Sequence, residues 1–166
     1  MSSQPLLVTD TNIWIDVYNG NLLLETFRLP YRFLIPDLSI PEFVCLSWHE
    51  LELLGLNPYV LGPSLIQQLY DFRYQYRNLS MRDLAAFILA RDLNAVLLTG
   101  DRRLRALAEA HGVEVHGVLW ILDQLIHRQI LEPGAACERL ERICAMGARL
   151  PVGECERRLI RWRSSV

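Results

Sequence analysis

Apolar residues in this chain fall into short unbroken runs separated by longer stretches with helical spacing. Leu6-Leu7-Val8-Thr9 and Ala95-Val96-Leu97-Leu98 are the two clearest runs, and each leads into a turn that carries an acid, Asp10 and Asp101. A strand buried on both faces reads as such a continuous apolar run. Shorter runs at Phe33–Ile35, closed by Pro36, and at Val113–Val115, preceded by Gly112, read as further strands. Between them, apolar residues at three- and four-residue spacing predict helices over about Thr11–Phe27, Ser39–Leu53, Ser64–Arg77, Ser80–Leu93, Arg102–His111 and Val118–Arg128. Ser80-Met81-Arg82-Asp83 is a helix start signal, and Gly112 a stop. Leu56–Pro63, with its prolines and glycines, reads as a loop. After a break at Glu132-Pro133-Gly134, two amphipathic helices follow, Ala135–Met146 and Gly153–Arg163.

Strands alternating with helices predict a parallel sheet with right-handed crossovers. At 166 residues the chain fits one domain, 1–166, with a core over about 5–128 and a helical hairpin over about 132–164 too short to stand alone. Hydrophobic residues make up 51%, so burial is not limiting, yet no stretch approaches the ~20 apolar residues that span a bilayer. The start, Met1-Ser2-Ser3-Gln4, lacks a basic leader region, so a cytoplasmic protein is expected. Cys45, Cys137, Cys144 and Cys155 form no C-x-x-C pair, and His49, His111, His116 and His127 are scattered. Ordinary thiols in a reducing compartment fit this better than a zinc site. The net charge of -2 argues against a globally basic nucleic-acid binder, although all 17 basic residues are Arg, the better bidentate partner for phosphate.

Four acids share one local context. Asp10 and Asp101 follow apolar strands and precede helices, 91 residues apart in sequence. Glu42 and Asp83 sit near the starts of predicted helices. Each has an ordinary explanation, because an acid at a helix start caps free N–H groups and complements the dipole. Taken jointly they have another. Ligands of open α/β sheets bind at the carboxyl ends of strands. Carboxylates gathered there repel one another, and a hard divalent cation such as Mg²⁺ or Mn²⁺ resolves the conflict and suits phosphate chemistry.

The segment Thr9-Asp10-Thr11-Asn12 resembles the opening of a PIN-domain nuclease. So does the order of Asp83, the apolar strand and Leu98-Thr99-Gly100-Asp101-Arg102-Arg103, followed by Gly112-Val113-Glu114-Val115-His116-Gly117. The resemblance covers about residues 5–128 and is dense over 5–16 and 79–125. It implies a three-layer α/β/α sandwich with a short central parallel sheet and a helical C-terminal extension. It also implies a metal site of Asp10, Glu42, Asp83 and Asp101, with Asn12 and Thr99 as polar helpers that are otherwise ordinary turn residues. Glu42 is preferred over Glu50 and Glu52 because those lie too far along the helix to reach the sheet edge. The implied activity is Mg²⁺- or Mn²⁺-dependent endoribonuclease cleavage of RNA. Many PIN proteins of this size are similar to VapC-type toxins held by a cognate antitoxin, and a homodimer is expected.

Arg102, Arg103 and Arg105 beside Asp101 are candidates to hold an RNA backbone, or form an ordinary charged helix face. Arg157, Arg158, Arg161 and Arg163, interleaved with Trp162, offer the same choice, with Trp162 docked on the core as the simpler reading. Trp14 and Trp48 suggest an apolar groove between the first two helices, or core packing. Asp16 reads as solvent-facing. Two rivals remain: a non-catalytic binding module on the same fold, and a haloacid-dehalogenase-like phosphatase. The second needs an Asp where this chain has Asn12.

Overall fold

The computed structural model describes residues 3–165, so Met1, Ser2 and Val166 lie outside it, and with them part of the start read above for targeting. Strands β1 (Leu6–Thr9), β2 (Arg32–Pro36), β3 (Asn57–Tyr59), β4 (Val96–Leu98) and β5 (Val115–His116) form one parallel sheet in the order β3-β2-β1-β4-β5. Leu7 pairs with Phe33 on one side and Val96 on the other, which puts β1 at the centre. Alternation along the strands divides the core in two. Leu7, Phe33, Ile35 and Leu98 face a layer of helices that includes α1 (Thr11–Asn19), α7 (Val118–His127), α8 (Pro133–Ala145) and α9 (Val152–Arg163). Val8, Leu34, Leu97 and Val115 face α4 (Pro63–Gln75), α5 (Met81–Asp92) and α6 (Arg102–Ala110). This is the three-layer α/β/α sandwich expected. Helix α5 is buried without a break from Leu84 to Ala90, and its alanines let it lie close to the sheet. None of the described helices is long and apolar enough to cross a membrane.

Three expectations need correction. The helix predicted over Thr11–Phe27 is two, α1 and α2 (Leu23–Phe27). Asn21 turns the chain at φ 53°, and Gly20 packs so tightly that a Cβ there would stand 2.8 Å from Ile143 of α8. The helix predicted over Ser39–Leu53 is a 3₁₀ turn, Asp37–Glu42, then an irregular segment, then α3 (Trp48–Leu54). Pro41 has no N–H to donate, and Ser47 starts the helix anew, its Oγ accepting from Glu50 N at 3.3 Å. The predicted loop 56–63 contains the edge strand β3; Pro58 is tolerated there because an edge strand leaves one side unpaired.

The C-terminal hairpin packs into the first core layer through Ala136, Cys137, Leu140, Ile143, Cys155 and Trp162. Trp162 is docked on the core, and its neighbouring arginines are paired: Arg158 and Arg161 with Asp123, Arg157 with Glu154, Arg163 with Glu141. Trp14 is also wholly buried, stacked on Phe27 at 4.8 Å, and lines no groove.

Candidate active site

Because all five strands are parallel, every strand delivers the residues that follow it to one edge. Asp10 leaves β1 there and caps α1, with Ile13 N donating to Oδ1 at 3.2 Å. Its other oxygen accepts from the hydroxyl of Thr99, which is fully buried just beyond β4. The same Thr99 oxygen accepts from Asp101 N at 3.1 Å. Asp101 in turn caps α6, accepting from Arg103 N and Leu104 N at 2.8 and 2.9 Å. Thr99 thus ties the two strand-end aspartates together. Thr9 fixes the end of β1 from below: its hydroxyl donates to Leu34 O at 2.9 Å and accepts from Trp14 Nε1 at 2.8 Å.

Asp83 closes a capping box at the start of α5, accepting from Ser80 N while Ser80 Oγ accepts from Asp83 N. Glu42 caps no helix. The 3₁₀ turn after β2 carries it to the sheet edge, where it meets Arg82 at 3.0 Å. Asp10, Thr11, Asn12, Glu42, Arg82 and Asp83 line one cavity of about 10 Å³, the room of a single water-sized occupant. Asp101 stands on the far side of Thr99 and does not line it.

Capping therefore accounts for Asp10, Asp83 and Asp101 locally, but not for the state of Asp10. Burial pushes its carboxyl up to about 7 from an ordinary 3.8, and the charge of Asp83 pushes the same way; the hydrogen bonds from Thr99 and Ile13 only partly offset this. Thr11 Oγ1, at the same cavity, is buried with no hydrogen-bond partner. A buried carboxylate lacking positive charge, an orphaned hydroxyl and an all-oxygen donor set fit a hard divalent cation. Among the described residues no three Asp, Glu, His or Cys side chains already stand close enough to hold a metal, and Arg82 supplies the positive charge that Glu42 meets instead.

A second cavity of about 340 Å³ lies beside the first, with Thr99 in its wall. Arg102 and Arg105 line it and Arg103 does not. Arg105 is partly used, 3.7 Å from Glu109. Asp16, expected to face solvent, is half-buried in this wall, and burial raises its carboxyl to about 6. Sequence reasoning missed Arg82, Thr11 and Asp16. Only Arg82 left a signal, its place inside the start motif of α5.

The PIN-domain family model DUF3368 matches residues 6–164. The chain belongs to the PIN-domain family. The PIN fold is of the nuclease type, and its members typically use divalent metals. Among solved structures, a PilT N-terminus domain protein from the hyperthermophilic archaeon Sulfolobus solfataricus P2 is 15% identical, with 73% of this chain and 93% of that one covered at a TM-score of 0.49. Comparison with curated proteins finds none significantly similar in sequence. Within this PIN domain Asp10 and Asp101 lie at the edge where the parallel strands β1 and β4 end.

Proposed function

We propose that this PIN domain is an endoribonuclease that hydrolyses RNA phosphodiester bonds with Mg²⁺ or Mn²⁺. The observation that carries the reading is the buried carboxylate of Asp10, raised to about 7 and sharing one small cavity with Glu42 and Asp83. Asp10, Glu42 and Asp83 would hold the ion at that cavity, Asp101 would join them from the far side of Thr99, and Asn12 and Thr99 would support it. When bound, such an ion would supply charge neutralisation at the phosphate oxygens and a lowered water pKa, so that hydroxide is available to attack phosphorus as the bond to the 3′ oxygen breaks. Thr99 holds one oxygen of Asp10 and Ile13 N–H the other, so the carboxylate is oriented before any substrate arrives. Arg82 must leave Glu42 for that carboxylate to become a ligand. Arg102, Arg103 and Arg105, at the start of α6, would hold the strand on either side of the scissile phosphate.

The same reading makes the protein the toxin of a toxin–antitoxin pair, acting in the cytoplasm as a homodimer. Ile15 and Tyr18 on α1, with Leu38 and Val44 after β2, leave apolar side chains exposed that an antitoxin could cover. The ion pair of Arg82 with Glu42 favours one alternative, a non-catalytic PIN-fold binding module. The deciding experiment is cleavage of a mixed single-stranded RNA pool with Mn²⁺, Mg²⁺ or EDTA, beside Asp10→Asn. Metal-dependent cutting that Asp10→Asn loses supports the nuclease. A folded protein that binds RNA and never cuts it, with any of these ions, supports the binding module.

A further inference from the structure

The cavity of about 340 Å³ combines three chemistries that no acid cluster requires. Its size falls in the range of small-ligand sites, roughly 300–1,000 Å³. Thr99 and Gly100 line it together with Arg149, Leu150 and Pro151 of the turn between α8 and α9. Arg158 is neutralised by Asp123 and Glu154 at 2.8 Å each. Arg102 and Arg149 are exposed and have no ion pair among the described residues. Two uncommitted guanidiniums lining one cavity suit a phosphodiester, which they can grip through paired N–H groups.

Phosphate alone does not explain the rest of the lining. His116 and Trp120 stack at 4.7 Å with ring planes 9° apart and form an aromatic wall. Asp16, half-buried in the same cavity, has no hydrogen bond or ion pair through its carboxylate among the described residues. A bare inorganic anion would meet repulsion there. A ligand with N–H donors on one end, a flat π face and an anionic group on the other satisfies all three.

We propose that this cavity is a nucleotide subsite that takes one unpaired nucleotide of a single RNA strand, next to the phosphate held at the acid cavity. Arg102 and Arg149 hold its phosphates, His116 and Trp120 pack against its base, and Asp16 accepts from the base edge. The subsite deepens the nuclease reading and rests on it for the placement of the strand. It also gives the C-terminal hairpin a task, since the turn between α8 and α9, together with α9, supplies part of the cavity's lining.

The test is binding of a short fluorescein-labelled single-stranded RNA in EDTA, followed by anisotropy across a salt series. Arg149→Ala, an exposed turn position, and Arg102→Ala should each weaken binding several-fold for every sequence and lower the salt slope by about one. Asp16→Asn should leave the salt slope alone and change the preference among homopolymers. Arg128→Ala, just past the end of α7 and beside Tyr31 ahead of β2, and so at the opposite sheet edge, should bind as the parent does. Unchanged affinity and slope in both Arg149→Ala and Arg102→Ala overturn the subsite. Metal-dependent cleavage without any RNA binding in EDTA also overturns it and leaves the nuclease reading intact. Variant-sensitive binding without cleavage keeps the subsite and sinks the nuclease.

Discussion

Asp10→Asn should make the metal-free protein more stable at neutral pH while it removes activity. The folded state raises the carboxyl from 3.8 to about 7, chiefly by burial. An acid whose folded value is raised holds its proton more tightly than the unfolded chain does. Its unfavourable contribution is therefore absent below about pH 4, grows as pH rises to about 7, and is constant above that. The shift corresponds to at most about 4 kcal/mol, since each unit is worth about 1.4 kcal/mol. Asn keeps an acceptor for Ile13 N–H but turns N–H₂ toward Thr99 Oγ1, whose hydroxyl must rotate, at a cost of about 1 kcal/mol. A net gain of roughly 1–3 kcal/mol remains, and each kcal/mol is worth about 2–4 °C in a chain of this size. The assay is thermal unfolding by circular dichroism in EDTA, at about pH 8 and about pH 4, for both proteins. The variant should melt several degrees higher at the alkaline point, and the gap should close or reverse at the acidic one. Added Mn²⁺ should raise the melting temperature of the parent and not of the variant. A variant that melts below the parent at about pH 8 would refute the account of Asp10 as an uncompensated buried charge.

The other predictions probe the neighbours. Arg82→Ala removes the cation that faces Glu42, so Mn²⁺ should bind more tightly by calorimetry; equal or weaker binding would show that Arg82 does not compete with the ion. Asp101→Asn should abolish cleavage yet change stability by less than about 1 kcal/mol in denaturant titration, because Asn caps α6 nearly as well as Asp. Gly20→Ala should cost about 1–3 kcal/mol in the same titration, because its methyl would press on the buried Ile143; a neutral result would mean α8 shifts freely.

The sequence by itself determined what depends on local composition. β1 and β4 are legible because strands buried on both faces must be continuously apolar, and α5 because Ser80 and Asp83 form its capping box within four residues. Asp10 and Asp101 were legible for the same reason, since an acid after each buried strand has to emerge at the edge where parallel strands end. The break at Gly20-Asn21 had a local signal, since Gly and Asn end helices, but the close approach of Ile143 to Gly20 from more than a hundred residues away was not legible. Nor was the strand Asn57–Tyr59, which exists because β2 offers it an edge. Glu42 was found for the wrong reason: a 3₁₀ turn carries it to the edge, and no helix start is involved. Tertiary structure alone decided the charge state of Asp10, because burial is a property of the assembled core. It alone also set Arg82 against Glu42, turned Asp16 toward a cavity, and brought part of the C-terminal hairpin into that cavity's lining. Local pattern fixes which residues form strands and caps through short-range sterics and hydrogen bonding, whereas desolvation and charge pairing depend on neighbours that only the folded chain brings together.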